Sequence, residues 1–209
     1  MLLDSKGFDL WANDYDVAVD LSDDDGTYPF AGYKAILAQI YAEIMSEAPC
    51  KVLDVGVGTG VLTSKLYEAG NQITGVDFSV EMLKISRNKM PDARLIEHDF
   101  TVGLPAELAG ERFDFIVLTY SIHHLTYDEQ INFLLICLDH LAEGGNILIG
   151  DVAFETRAMM VECAVASGED WDDEEFYIIH DELVKNLGAR CRVDYQQMTH
   201  CSGIVRVSK

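Results

Sequence analysis

The chain has 209 residues, with 15 Lys and Arg against 36 Asp and Glu, a formal net charge of −21 and 49% hydrophobic residues. That apolar share is too high for a disordered chain, and the length suits a single domain built on one large core. So acidic a chain, with no basic cluster, lacks the means to bind phosphate backbones or anionic membranes, so no nucleic acid and no membrane partner is expected and a small molecule is.

The N-terminal part reads as helical. Phe8 to Tyr15 fits a short helix, and Leu21 to Tyr28, with Asp23, Asp24 and Asp25, an exposed acidic loop. Phe30, Tyr33, Leu37, Ile40, Tyr41 and Ile44 then recur at helical spacing, and Pro29 suits a first helical turn. Residues 1–48 are therefore expected to form a helical cap on a core spanning 50–209, the whole making one domain.

From Lys51 the pattern alternates between strand and helix. Lys51 to Val55 is a short apolar run ending in glycines, followed by a helix from Thr59 to Ala69 closed by Gly70. Gln72 to Val76 is a second strand, and Ser79 caps a helix to about Lys89. Ala93 to Glu97 and Phe113 to Thr119 are the third and fourth strands. Thr126 and Glu129 form a capping box for a helix that Gly144-Gly145 is expected to end, and Asn146 to Val152 is the fifth strand. This order predicts an α/β fold with right-handed crossovers and helices on both faces of a parallel sheet. The tail differs. Helices over 154–167 and 181–187 precede two alternating segments, Arg190 to Met198 and Gly203 to Val207, which predict an antiparallel hairpin on the sheet's edge. The expected sum is a mostly parallel, seven-stranded sheet.

The five cysteines, Cys50, Cys137, Cys163, Cys191 and Cys201, are odd in number and contain no CxxC pair. They read as reduced, mostly buried thiols rather than a disulfide framework or zinc knuckle. No segment reaches the ~18 apolar residues of a membrane span, and Met1 to Leu10 lacks a signal-peptide core, so a cytoplasmic location is expected.

The strongest local signal is Asp54-Val55-Gly56-Val57-Gly58-Thr59-Gly60. Glycines at alternate positions after a buried strand permit a tight turn and a close ligand approach, and the next helix offers free N–H groups. Asp54 just before the glycines would repel a pyrophosphate, and Asp77, ending the second strand, suits a ribose diol.

These residues resemble the class I S-adenosylmethionine (SAM) dependent methyltransferases. Asp54, Gly56, Gly58 and Gly60 match the first motif of that family, and Ile73 to Ser79 the second, with Met82 and Leu83 in the helix after it. His98-Asp99-Phe100, Phe113 to Leu118, Ser121 to Leu125 and Gly144-Gly145 match later motifs in the expected order. The opening Phe8-Asp9-x-Trp11-Ala12-x-x-Tyr15-Asp16 is similar to small bacterial members with a type 11 domain, closest to the YrrT-like branch. The resemblance implies a Rossmann-like fold, SAM as cofactor and a small-molecule methyl acceptor. It also implies roles. Gly56 and Gly58 would underlie the amino acid part of SAM, Asp54 would face its ammonium, and Asp77 would take both ribose hydroxyls. Asp99 would accept from the adenine amine, with Phe78, Met82 and Phe100 against the ring. Tyr120 would line the transfer site and Tyr15 close it.

Plainer readings stand beside these. Asp99 alone can cap a turn, and Trp11 and Tyr15 can pack a helix on the core. His123 and His124 follow strand four at the ligand-binding edge of the sheet. His123 is the residue expected to act as a base, the alternative being that both brace the loop. No HxxxH or HExxH spacing exists, so metal binding by His98, His123, His124, His180 or His200 is not expected. Two rival functions are a SAM-binding sensor without turnover and an NAD(P)-dependent oxidoreductase. The latter prefers a GxGxxG/A loop, and Val61 here breaks that pattern. The Thr119-Tyr120-Ser121-Ile122 segment lacks the Asn/Asp-Pro-Pro-Tyr that resembles amino methylation of DNA bases.

Overall fold

A computed structural model describes residues 26–209; Trp11, Tyr15 and the start of the acidic loop lie outside the described residues. Helix α1 (Tyr33–Met45) precedes strand β1 (Lys51–Val55), α2 (Val61–Glu68), β2 (Gln72–Asp77), α3 (Val80–Lys89), β3 (Arg94–Glu97) and β4 (Phe113–Thr119). Then come α4 (Tyr127–Asp139), β5 (Leu141–Phe154), α5 (Arg157–Ser167), β6 (Ile178–Ile179), α6 (His180–Leu187), β7 (Arg192–Gln197) and β8 (Ser202–Ser208). No helix among the described residues is long and apolar enough to cross a membrane.

The strands form one sheet in the order β3-β2-β1-β4-β5-β8-β7, with β6 paired to the end of β5. Pairings among β1 to β6 are parallel, while β8 runs antiparallel to both β5 and β7. The chain winds outward from β1 through β2 to β3, then returns to lay β4 on the other side of β1. That reversal leaves a crevice at the carboxyl ends of β1 and β4, where sheets of this kind hold ligands.

Alternation along the strands feeds two cores. Phe115, Val117 and Leu148 pack with Ile36, Ile40 and Ile44 of α1 on one face. Ile116, Leu118, Ile147 and Ile149 pack with Leu134 and Leu138 of α4 on the other. The Thr126/Glu129 capping box forms as expected, and the Ser79 hydroxyl accepts from Met82 N–H at 3.2 Å to start α3.

Two expectations are corrected, at Gly144-Gly145 and at Pro29. Gly144-Gly145 does not end α4, which stops at Asp139 with His140 as its cap. The two glycines lie inside a 14-residue β5, in a bulge where Phe113 pairs with Leu141 but Phe115 with Asn146. A Cβ on Gly145 would meet the Asp114 and Phe113 carbonyl oxygens at 2.8 and 3.0 Å, so this glycine serves strand approach. The C-terminal hairpin forms on the sheet's edge as expected, with β8 against β5 and β7 outermost. Pro29 lies in the turn before α1, whose first residue is Tyr33.

The seating of α1 depends on one small residue. A Cβ on Gly150 of β5 would meet Ile40 Cδ1 at 2.9 Å and overlap Ile36 Cγ2 more closely still. Overpacking of this kind costs roughly 1–3 kcal/mol. Gly150→Ala is expected to lower unfolding stability by that amount in a urea titration, and a second change, Ile40→Val, which removes the Cδ1 in the way, to restore part of it.

Candidate active site

The crevice begins with the loop after β1. Gly56 has φ 76° and lies so near β4 that an added Cβ would stand 2.5 Å from Ser121 Cβ. Ser121 Oγ donates to Val55 O at 2.9 Å, and Gly56 N–H donates to Val76 O at 2.8 Å, so the loop is tied to both neighbouring strands. Gly58 has φ 53°, and a Cβ there would meet only the Gly56 carbonyl oxygen at 4.0 Å, which leaves its backbone bare to the crevice. Its carbonyl accepts from Ser86 Oγ of α3 at 2.6 Å, and its N–H donates to Asp77 Oδ2 at 2.8 Å.

Two aspartates stand behind this loop. Asp77, only 6% exposed, joins Gly58 N–H to Ser79 N–H, the latter at 2.8 Å from Oδ1. Asp54, 2% exposed, accepts from Thr63 Oγ1 through Oδ2, while its Oδ1 is buried with no hydrogen-bond partner. Burial raises its pKa to about 7, against the pull of the Thr63 hydrogen bond and with a further push from the Asp77 charge. An acid held in this state is completed by a cation.

The pocket between these groups is a half-open crevice, about 670 Å³ when counted out to its open mouth. Asp54, Gly56, Gly58, Asp77, Phe78, Met82, Phe100 and Tyr120 all line it, as the sequence suggested. Gly60, with φ 74°, instead forms the N-cap of α2 beneath the loop. Asp99 is not in the lining. It is exposed and caps a short turn, accepting from Thr101 N–H at 2.9 Å and Thr101 Oγ1 at 2.7 Å. Tyr15 falls outside the described residues. Sequence reasoning missed Tyr33 and Leu37, which line the pocket from α1; their helical periodicity showed a buried face without showing that part of it faces a ligand.

Beyond β4 the pocket becomes aromatic. Tyr120 adopts φ 50°, rare for a residue with a side chain, and its ring lies 5.0 Å from Tyr33 and 5.3 Å from Phe30. Of the histidine pair, His124 faces the pocket and His123 does not. His123 is buried with Nδ1–H on Asp151 Oδ1 at 2.7 Å and Nε2 3.5 Å from Glu175 Oε1. Burial opposes its charge, but Asp151 and then Glu175 outweigh that and raise its pKa to about 9. Burial, and then the charge on His123, lower that of His124 to about 3. The pair also draws in a distant segment: Phe176 N–H donates to the His123 carbonyl at 2.9 Å.

A Rossmann-like sheet, an acid before a glycine loop and a second acid at the end of β2 define the class I methyltransferases. Residues 52–145 match a family model described as a methyltransferase domain. An uncharacterized methyltransferase of Oceanobacillus iheyensis is 31% identical over 216 residues, covering 97% of this chain and 95% of that protein. One from Alkaliphilus oremlandii is 34% identical over 150 residues, covering 72% and 68%. A magnesium protoporphyrin IX methyltransferase from Synechocystis, solved with bound SAH, superposes with a TM-score of 0.66 at 15% identity over 86% of this chain and 84% of that one. The chain belongs to this methyltransferase family, and its pocket can be matched to the SAM that the resemblance implies. The donor set fits: an orphaned carboxylate oxygen for an ammonium, a second carboxylate for a diol, and Phe78, Met82 and Phe100 for an adenine.

Were Asp54 to face the ammonium of SAM, its raised pKa would make cofactor binding pH-dependent. In the free protein Asp54 keeps its proton below about pH 7, whereas docking an ammonium against it requires the charged form. Binding therefore releases a proton, and affinity for SAM is expected to climb with pH up to about 7 and level off above it. Well below that point the slope approaches about tenfold per pH unit. Calorimetry in two buffers of different ionisation heat reads both effects, and Asp54→Asn should flatten the profile.

Proposed function

We propose that this enzyme moves the methyl group of SAM to a small-molecule acceptor by in-line displacement, releasing S-adenosylhomocysteine. The observation that carries this is the crevice at the switch point of the sheet, with buried carboxylates at one end and aromatic rings at the other. SAM supplies a methyl group already activated on a sulfonium. The work left to the protein is to hold both partners in line and exclude water. Asp54 takes the ammonium, Asp77 the ribose diol, and Gly56 and Gly58 allow the backbone to lie against the amino acid part. Phe78, Met82 and Phe100 cover the adenine. Tyr120, fixed between Tyr33 and Phe30, borders the point of transfer, where π faces also suit a sulfonium.

The part played by the histidines follows from their surroundings. His123 already carries a proton near neutral pH, and His124 takes one up only in acid, so neither is suited to remove a proton from an acceptor. We assign His124 to the wall of the acceptor side and His123 to holding it there. His123, expected from the sequence to act as a base, is instead assigned this supporting role. The net charge of −21 supports a small acceptor over nucleic acid, as does the restricted aromatic end of the crevice.

Asp77 gives the direct test. Losing a charged acceptor of hydrogen bonds costs about 1.5–3 kcal/mol, or roughly 10- to 100-fold in affinity. Asp77→Ala is expected to weaken SAM binding by that factor. Asp99→Ala should have a much smaller effect, since that carboxylate is engaged by Thr101 outside the lining. Equal losses in both variants would contradict the assignment. Micromolar retention on duplex DNA or structured RNA that fades steeply with salt would contradict a small-molecule acceptor.

A further inference from the structure

Beyond the groups assigned to SAM, the described residues bring a second set of ligating atoms together. His123, His124 and Glu175 each offer one, and all three lie within 4.8 Å of one another. The His123 and His124 rings are 4.3 Å apart, and His123 Nε2 is 3.5 Å from Glu175 Oε1. Around a small divalent cation with bonds of about 2.0–2.2 Å, ligand atoms stand about 3–4 Å apart, so small side-chain rotations close the set.

The surroundings are built to hold these groups. Asp151, fully buried on β5, accepts from His123 Nδ1–H, which fixes the ring with Nε2 turned toward Glu175. A carboxylate behind an imidazole is the usual support of a metal-binding histidine. Glu175 is hydrogen-bonded to Tyr177, whose hydroxyl meets that of Tyr28, and Tyr28 in turn accepts from Asp172 N–H at 3.1 Å. Gln130, buried on α4, donates to Leu125 O at 3.0 Å and Phe176 O at 2.5 Å, joining the two segments that carry the ligands. Charge points the same way. Asp151 and Glu175 converge on one imidazole, and Asp151 Oδ2 is buried with no hydrogen-bond partner.

We propose that His123 Nε2, His124 and the Glu175 carboxylate bind one divalent transition cation of the zinc or iron(II) class. Two imidazoles and one carboxylate favour these over magnesium or calcium, which prefer all-oxygen sites. Because His124 also lines the pocket, the cation stands beside its aromatic end. Three protein ligands leave a coordination position open to an oxygen, nitrogen or sulfur of the acceptor. That last placement rests on the function proposed above; cation binding does not. Sequence spacing could not signal the site, because the third ligand comes from a different loop 51 residues beyond His124.

The test uses the whole chain, stripped with a chelator and dialysed against Zn²⁺ in millimolar Mg²⁺, which occupies carboxylate-only sites on so acidic a surface. About one Zn²⁺ per chain is expected to remain. Co²⁺ in its place should give a d–d spectrum without thiolate bands, the five thiols being buried elsewhere. Glu175→Gln and His124→Ala should each weaken retention at least tenfold. Asp151→Asn, which meets the ligand set only at Nδ1 of His123, should weaken it about 10- to 100-fold. Thermal melts establish which variants fold, and either ligand variant alone decides. No Zn²⁺ surviving Mg²⁺, or retention unchanged in the folded ligand variants, overturns the proposal. SAM affinity of Glu175→Gln, read separately, is expected to stay at the wild-type value, so a failed cation site is distinguished from a failed cofactor assignment.

Discussion

Two carboxylates placed side by side at the ends of adjacent parallel strands are the constraint around which this molecule is arranged. Asp54 pairs in register with Gly75 on β2, and Asp77 ends that strand two residues later. Neither can leave the crevice edge without breaking the sheet. The protein satisfies Asp77 with two backbone N–H groups and Asp54 with one hydroxyl. What remains is one carboxylate oxygen sealed from water, and the buried state of that group is costly until a cation meets it. The glycine loop exists in the same frame. Gly56 must approach Ser121 closely for β1 and β4 to close at their ends, and Gly58 must present bare backbone to whatever lies in front of Asp77.

The opposite end of the crevice is stabilised by different means. Few charges line it; it is set by packing and by links over long stretches of sequence. Tyr120 is held in a strained backbone conformation between rings from residues 30 and 33. The Ile122–His124 turn is pinned from α4 by Gln130 and from the 176 segment by a backbone hydrogen bond. Asp151 reaches it from β5. Three separate parts of the chain thus fix one short turn beside the pocket, which is the preorganisation that positioning a reactant needs.

Much of the frame was readable from local patterns. The capping box at Thr126 and Glu129, the Ser79 cap and the limits of β4 follow from chemistry within a few residues. The donor side of the pocket was readable for the same reason, since Asp54, the glycines, Asp77, Phe78 and Met82 come from two short βα turns. What escaped was set by distant contacts. The β5 bulge depends on Phe113 and Asp114 carbonyls facing Gly145, and the two-residue β6 exists only because β5 runs on to Phe154. Asp99 occupies a matching motif position, yet its nearest donor is Thr101 two residues on, and the turn takes it. Which histidine faces the pocket was decided by Asp151 and Glu175, neither of which carries a local mark linking it to the pair.

The central claim is that the crevice recognises a cation and a diol rather than a pyrophosphate. A thermal-shift titration of the whole chain with SAM, S-adenosylhomocysteine, NAD and NADP tests it most directly. A ligand at 100 times its dissociation constant stabilises the fold by about 2.7 kcal/mol, a rise of roughly 2–4 °C for a chain of this size. The account predicts that rise with SAM and S-adenosylhomocysteine and none with the dinucleotides. A rise with NAD or NADP and none with SAM would contradict it.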